Sequence, residues 1–318
     1  MIVVLTGGTG GAKFVEGLRS ALPGEQLTCI VNTGDDFKWW GLHVSPDLDS
    51  ITYALAGLLS PERGWGIRDD TFFCLQTMRE LGESSWFQTG DRDLAIHLLR
   101  SRMLAEGKTL SEATAAITAK LGIQARILPM TESPVETRIG TPAGELNFQE
   151  YFVKRRHQDP VKSVRFEGVA DAPPAPGVID AIQSARAVIL APSNPITSIG
   201  PILAVPGVRE SLRATPASIV AVSPIIGNSA VSGPAGTLMA AQGYSVSIAG
   251  VAQAYADFLD ILVVDRRDAE AARGLNYPGL SVHCDSIIMR TADDKIRLAE
   301  TVLARLAEGD SGSVLNLS

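Results

Sequence analysis

The sequence predicts an α/β fold organised on a mostly parallel sheet, and three observations carry that expectation. The chain opens with an apolar, β-branched run, Ile2-Val3-Val4-Leu5-Thr6, then a glycine-rich loop, then apolar residues at helical spacing, Phe14, Val15, Leu18 and Leu22. Apolar runs of the kind buried on both faces of a parallel sheet recur at Gln26–Asn32, Ala187–Ala191 and Ser218–Val222. Each run ends in a loop rich in Gly, Ser, Thr, Asn or Asp, and open α/β sheets gather ligands outside the carboxyl ends of their strands. Together these describe a Rossmann-like three-layer sandwich carrying a helical insertion. Its 318 residues, 45% hydrophobic and 20% charged, suffice for a large core.

The loop after the first run, Gly7-Gly8-Thr9-Gly10-Gly11-Ala12-Lys13, packs four glycines into five residues ahead of a helix. Backbone without Cβ atoms approaches an anion closely, and the N–H groups of the following helix point at it, so a phosphate is the expected ligand. The loop fits neither standard motif. A Walker A loop needs Ser or Thr after its Lys, and Phe14 follows Lys13; a dinucleotide fingerprint counted from Gly8 places Lys13 where its third glycine belongs.

Gln26–Asn32 and the tip Thr33-Gly34-Asp35-Asp36 complete a β-α-β unit, with acidic residues where nucleotide folds place a ribose-binding carboxylate. The loop Gly41–Ser50 then leads into Ile51, Leu55, Leu58 and Leu59 at helical spacing, with Asp47 poised as a cap and Asp49 in the first turn. Residues 61–164 read as an insertion. Phe72–Leu81, Leu94–Leu104 and Ser111–Leu121 are helical in pattern, and Glu145–Phe148 and Tyr151–Val153 are short strand-like runs. Residues 1–60 and 165–318 form the nucleotide-binding core, entered through a linker-like stretch, Asp171–Pro176. Ser245–Gly250 and Ile261–Val264 supply two more strands, and Thr291–Leu306 a closing helix.

The formal charge of −7 argues against a general nucleic-acid surface, which needs clustered Lys and Arg. Three distant cysteines make neither a zinc site nor a disulfide framework, and no apolar run reaches membrane-spanning length. A cytoplasmic enzyme acting on small molecules, with no nucleic-acid or membrane partner, is the expectation. Asp35, Asp36, Asp47 and Asp49 are the densest acidic set near the phosphate loop. Carboxylates beside phosphate repel it unless a hard cation intervenes, which points to Mg²⁺. Ser193-Asn194-Pro195 and Ser198 offer neutral donors suited to phosphate or ribose. In Trp86–His97, Asp91 and Asp93 can cap a helix starting near Leu94, and Arg92 can pair with phosphate or carboxylate.

These stretches, with Asn32–Asp36, Ser45–Asp49, Gly90–Asp93, Phe148–Phe152, Pro192–Pro195 through Leu203, and Ser223–Asn228, resemble in order the 2-phospho-L-lactate transferase family of deazaflavin coenzyme F-420 biosynthesis. The resemblance implies a homodimeric transferase that moves a phospho-acyl unit from a guanosine diphosphate-activated three-carbon acid to 7,8-didemethyl-8-hydroxy-5-deazariboflavin, releasing GMP, with Mg²⁺. It implies that Asp47 and Asp49 hold the metal and orient the hydroxyl, with Arg92 as a third catalytic residue. The donor end falls to Gly8, Thr9, Gly10, Gly11, Lys13, Asn32, Asp36, Ser193, Asn194 and Ser198. The deazaflavin falls to Asp49, Gln88, Thr89 and Asp91, with Trp39 or Trp86 stacking on it. A sister group of nucleotide-sugar-binding regulators shares the sheet but carries arginine at the position of Asp49. An NAD-dependent reductase would require the fingerprint that the glycine loop lacks.

Overall fold

The computed structural model describes residues 1–22 and 26–310. Seven strands, β1 (Ile2–Thr6), β2 (Leu27–Val31), β3 (Arg126–Pro129), β4 (Ala187–Leu190), β5 (Ser218–Val222), β6 (Ile261–Asp265) and β7 (Ser281–Asp285), form one sheet in the order β7-β6-β5-β4-β1-β2-β3. All six pairings are parallel. Val3 lies between Thr28 and Val188, so the strand order reverses between β1 and β4, the topological switch point where doubly wound sheets bind ligands.

Every residue of β1 is buried, and successive side chains go to opposite faces. Ile2 and Val4 pack with Phe14, Leu18, Ile51, Leu298 and Val302, while Val3 and Leu5 pack with Ile182, Ile199, Ile202 and Val251. Helices therefore cover both faces, giving the three expected layers. On the first face lie α1 (Gly8–Ala21), α2 (Pro46–Ala56) and the closing helix Ala292–Asp310. Among the described residues no helix is long and apolar enough to cross a membrane.

The connection from β2 to β3 is long. It contains a hairpin of Phe37–Trp39 and Leu42–Val44, followed by α2, α3 (Phe73–Glu80), α4 (Asp91–Ala105) and α5 (Leu110–Lys120). After β3 come three antiparallel strands, Glu136–Thr141, Gly144–Asn147 and Ser163–Glu167. The expected insertion 61–164 is thus split in two by β3, an edge strand of the core, where the terminal Pro129 is tolerated.

Three local expectations are corrected. Tyr151–Val153 is helical, within Glu150–Lys154, because the Asn147 side chain accepts from the Glu150 amide at 2.8 Å and starts a turn. Ser245–Gly250 is no strand: Ser247 caps the helix Ile248–Ala254, and the last strand is instead β7. Asp171–Pro176 is no free linker, since Ala172 and Ala175 are buried and the Ala175 amide donates to the Met130 carbonyl at 3.1 Å.

Candidate functional site

At the switch point the carboxyl ends of β1, β2, β4 and β5 open into a cavity of about 820 Å³, roofed by the insertion. Gly7 to Gly10 and Lys13 line one wall. Gly7 is the extended residue before α1, and a Cβ there would collide with the Asp47 carboxylate; Gly8 has φ +65°, which glycine adopts without strain. No side chain caps α1, so the positive end of its dipole faces the cavity. Ser193 stitches the wall together, its hydroxyl donating to the Gly7 carbonyl at 2.7 Å and accepting from the Gly7 amide at 3.3 Å. Asn194 accepts from the Ile196 amide at 3.0 Å and holds the turn that presents Ser198 to the cavity.

The acidic set divides by its partners. Asn32 donates to Asp47 at 2.9 Å and to the Thr197 carbonyl at 3.2 Å while accepting from the Gly34 amide at 2.8 Å, so it locks three loops around Asp47. Burial pushes Asp47 up to about 6, against the hydrogen bonds from Asn32 and the Gly8 amide. Burial, then the neighbouring Asp47 charge, holds Asp35 well above the usual carboxylate range, and one oxygen of Asp35 has no partner. Asp36 is raised by burial too, but His43 at 3.0 Å and the Ser45 hydroxyl at 2.7 Å tie it into the scaffold.

Asp49, one helical turn into α2, is matched from within the protein. Arg100 grips it through both terminal nitrogens, one at 3.1 Å, and is itself only 2% exposed. His97 sits with Nδ1 3.4 Å from Asp49 and Nε2 3.5 Å from Asp93, and the Tyr53 hydroxyl donates to Asp93. Tyr53 and Arg100 escaped the sequence reading, although Asp93, His97 and Arg100 recur at i, i+4 and i+7 on one face of α4.

A hard cation fits Asp35 and Asp47: both are buried oxygen donors, and among the described residues no cationic side chain is paired with either. Asp49 fits less well than expected. Oxygens of Asp49 and Asp93 and a ring nitrogen of His97 lie within 4.8 Å of one another, as metal ligands would, but Arg100 already supplies Asp49 with a positive partner and the Tyr53 hydroxyl donates to Asp93.

A family model described as 2-phospho-L-lactate transferase CofD matches residues 2–301. The chain belongs to that family. It is 41% identical over 302 residues to the 2-phospho-L-lactate transferase of Methanosarcina mazei, covering 95% of this chain and 99% of that one. It is 41% identical to the protein of the same name from Methanocaldococcus jannaschii, covering 95% and 97%. A phosphoenolpyruvate transferase from Kitasatospora aureofaciens is 40% identical, covering 98% and 99%. The crystal structure of a UPF0052-family protein from Bacillus halodurans, 18% identical, superposes with a TM-score of 0.65 over 95% of this chain and 98% of that one, a likeness of fold. Membership makes this chain a transferase.

In this CofD-family chain, Gly8, Thr9, Gly10, Lys13, Asp47, Asp49, Gln88, Ser193, Asn194 and Ser198 all line the one cavity. Asn32 and Gly11 act from behind the wall, Gly11 against the hydroxyls of Thr6 and Ser193. Four expected residues are not brought there, Asp36 among them, tied off instead by His43 and Ser45. Asp91 caps α3, accepting from the amides of Phe73 at 3.0 Å and Cys74 at 2.9 Å and from the Thr71 hydroxyl, bonds that hold its carboxyl below the usual range. Arg92 is exposed and donates to the Arg68 carbonyl at 3.1 Å. Thr89 is buried away from the cavity. The cap of α4 is Asp70, which accepts from the amides of Arg92 and Asp93 and was not anticipated. Trp86, with Phe87, Phe148 and Phe152, forms an aromatic wall, and Trp39 packs edge-on behind Trp86 with centroids 4.9 Å apart. Arg156 and Arg290 also face the cavity and were likewise missed.

Proposed function

We propose that the chain transfers a 2-phospholactyl unit, or its phosphoenolpyruvyl or 3-phosphoglyceryl equivalent, from a guanosine diphosphate-activated acid to the terminal ribityl hydroxyl of 7,8-didemethyl-8-hydroxy-5-deazariboflavin in coenzyme F-420 biosynthesis. One observation carries this reading: a single cavity joins an uncapped helix N-terminus and glycine loop at one end to an aromatic wall at the other, with buried aspartates between. A diphosphate fits the first end, a planar ring the second, and the aspartates lie where the two substrates meet.

The hydroxyl oxygen attacks the phosphorus that carries the acid, forming a new P–O bond as the P–O bond to GMP breaks. The hydroxyl proton passes to the Asp49 carboxylate, and GMP leaves with the electron pair of its bridging oxygen. The amides of Gly8 to Gly10 and Lys13 stabilise charge on the diphosphate, and the donor is held in line by Asn194 and Ser198. Mg²⁺, held by Asp47 with Asp35, supplies further neutralisation of the diphosphate when bound.

The relatives carry two donor names at nearly equal identity, so the acid is decided by assay. Incubation with the deazariboflavin, Mg²⁺ and each guanosine diphosphate ester is expected to release GMP and add the phospho-acyl mass to the deazaflavin. Saturable nucleotide-sugar binding with no product overturns the reading in favour of a regulator. The same reading makes the enzyme a cytoplasmic homodimer, and light scattering on the purified protein tests the dimer.

A further inference from the structure

Three lysine or arginine side chains line the cavity, Lys13, Arg156 and Arg290, and among the described residues none of them is paired with a carboxylate. Two stand at the phosphate end. Gly17 of α1 meets the Lys295 backbone of the closing helix; Lys13 lies one turn nearer the start of α1 and Arg290 just ahead of the closing helix, so both flank the glycine loop. Arg156 stands at the other end, on the turn that brings Phe148 and Phe152 to the aromatic wall.

The backbone of that turn is held where its side chains disfavour it. Arg156 has φ +53° and His157 φ +45°. The His157 amide donates to the Tyr151 carbonyl at 2.8 Å, the closure that ends a helix through a left-handed residue just before the donor, a position that glycine fills best. The His157 ring stacks on Phe152 with centroids 5.7 Å apart and pins the turn. Arginine at this position works against the fold, and a disfavoured conformation kept at a cavity wall points to function.

The chemistry of the ligand follows from what is left to bind. A planar guanidinium takes a carboxylate or a phosphate through two parallel N–H bonds. The diphosphate already has the glycine-loop amides, the α1 dipole, Lys13 and Arg290 around it. The donor brings one further anion, the carboxylate of its three-carbon acid. That acid hangs on the phosphorus where the two substrates meet, next to the aromatic wall.

We propose that Arg156 reads the carboxylate of the acid that is transferred. It grips the group that lactyl, enolpyruvyl and glyceryl units share, so it selects an acid over a neutral substituent without choosing among the three. The inference rests on the donor reading given above and adds to it the residue that recognises the acid.

The test is steady-state kinetics at saturating deazariboflavin and Mg²⁺, with the guanosine diphosphate ester that the enzyme turns over and with the same ester carrying a carboxamide in place of its carboxylate. Wild type is expected to lose about 30-fold in kcat/KM on the amide. Arg156→Gln is expected to lose a similar factor on the acid ester and to treat the two esters within about 3-fold of each other, a non-additive pair. Its GDP affinity and acceptor KM stay at wild-type values, and Arg156→Lys recovers part of the preference for the acid. Arg156→Gly, which relieves the left-handed residue, is expected to raise Tm by about 1–3 °C while losing the same preference. Wild type indifferent to the amide overturns the subsite whatever the variants do. Equal losses by Arg156→Gln on both esters, weakened GDP binding or a raised acceptor KM overturn the role of Arg156, and a lower Tm in Arg156→Gly makes the arginine a structural residue and overturns it too. Wild type that turns over no ester overturns the donor reading itself and this inference with it.

Discussion

Asp47 and Asp49 stand two residues apart on the first turn of α2, both buried, yet the fold gives them opposite surroundings. Asp47 faces the glycine loop beside Asp35, with the neutral partners Asn32 and the Gly8 amide. Asp49 faces the insertion and is gripped by the buried Arg100. The difference separates a carboxylate with neutral partners from one already compensated, and under the proposed function the first would hold the cation and the second would orient the hydroxyl. A carboxylate count alone does not make that distinction; the partners do.

The comparison can be broken in four places. Asp49→Asn should have the largest effect, a loss of about 10³-fold in turnover with GDP still bound, since it removes the group proposed to meet the attacking hydroxyl. Near-normal turnover of the purified variant removes Asp49 from the chemistry. Gly7→Ala comes next: its methyl group meets the Asp47 carboxylate and should cost about 1–3 kcal/mol of stability as well as weakening GDP binding, measured by melting with and without GDP.

The third test uses pH. Asp47 is raised from 3.8 to about 6, so the folded state binds its proton more tightly than the unfolded chain does. Its contribution is therefore fully present below the unfolded value and is lost as pH rises through about 6, and ligand-free stability should fall across that window. Mg²⁺ with GDP should offset the loss, giving a larger thermal shift at pH 7.5 than at pH 5. Equal shifts at both values would separate the cation from Asp47. The smallest effects belong to the insertion loop. Asp91→Ala should cost about 1 kcal/mol through the lost cap of α3, with the acceptor KM unchanged, and Arg92→Ala should leave turnover within about 2-fold. A large change in KM for either would return these residues to the deazaflavin site.

Much of the core was legible because its signals are local. β1, β2, β4 and β5 are central strands buried on both faces, and such strands announce themselves as continuous apolar runs. The edge strands do not. β3 ends in proline, and β7, Ser281-Val282-His283-Cys284-Asp285, is half exposed with polar residues at alternate positions, so neither carries the buried signature. Ser245-Val246-Ser247-Ile248 alternates like a strand, but Ser247 is a helix cap, and a cap outweighs four residues of alternation. The glycine loop, Asp47 and Asn194 to Ser198 were readable as one site because each ends an evident strand or opens an evident helix.

What the sequence by itself determined is the layered α/β architecture, the phosphate-type loop and the resemblance that names the family, all of which depend on residues close together in the chain. What only the tertiary structure decided is how the charges pair. Arg100 lies 51 residues from Asp49, and Asp70 lies 22 residues from the Arg92 amide it caps. Whether an aspartate keeps neutral partners, pairs with a buried arginine or ties off a helix depends on which donor the packing of other helices brings within about 3 Å, and that distance is set by the crossing of elements rather than by their sequence spacing.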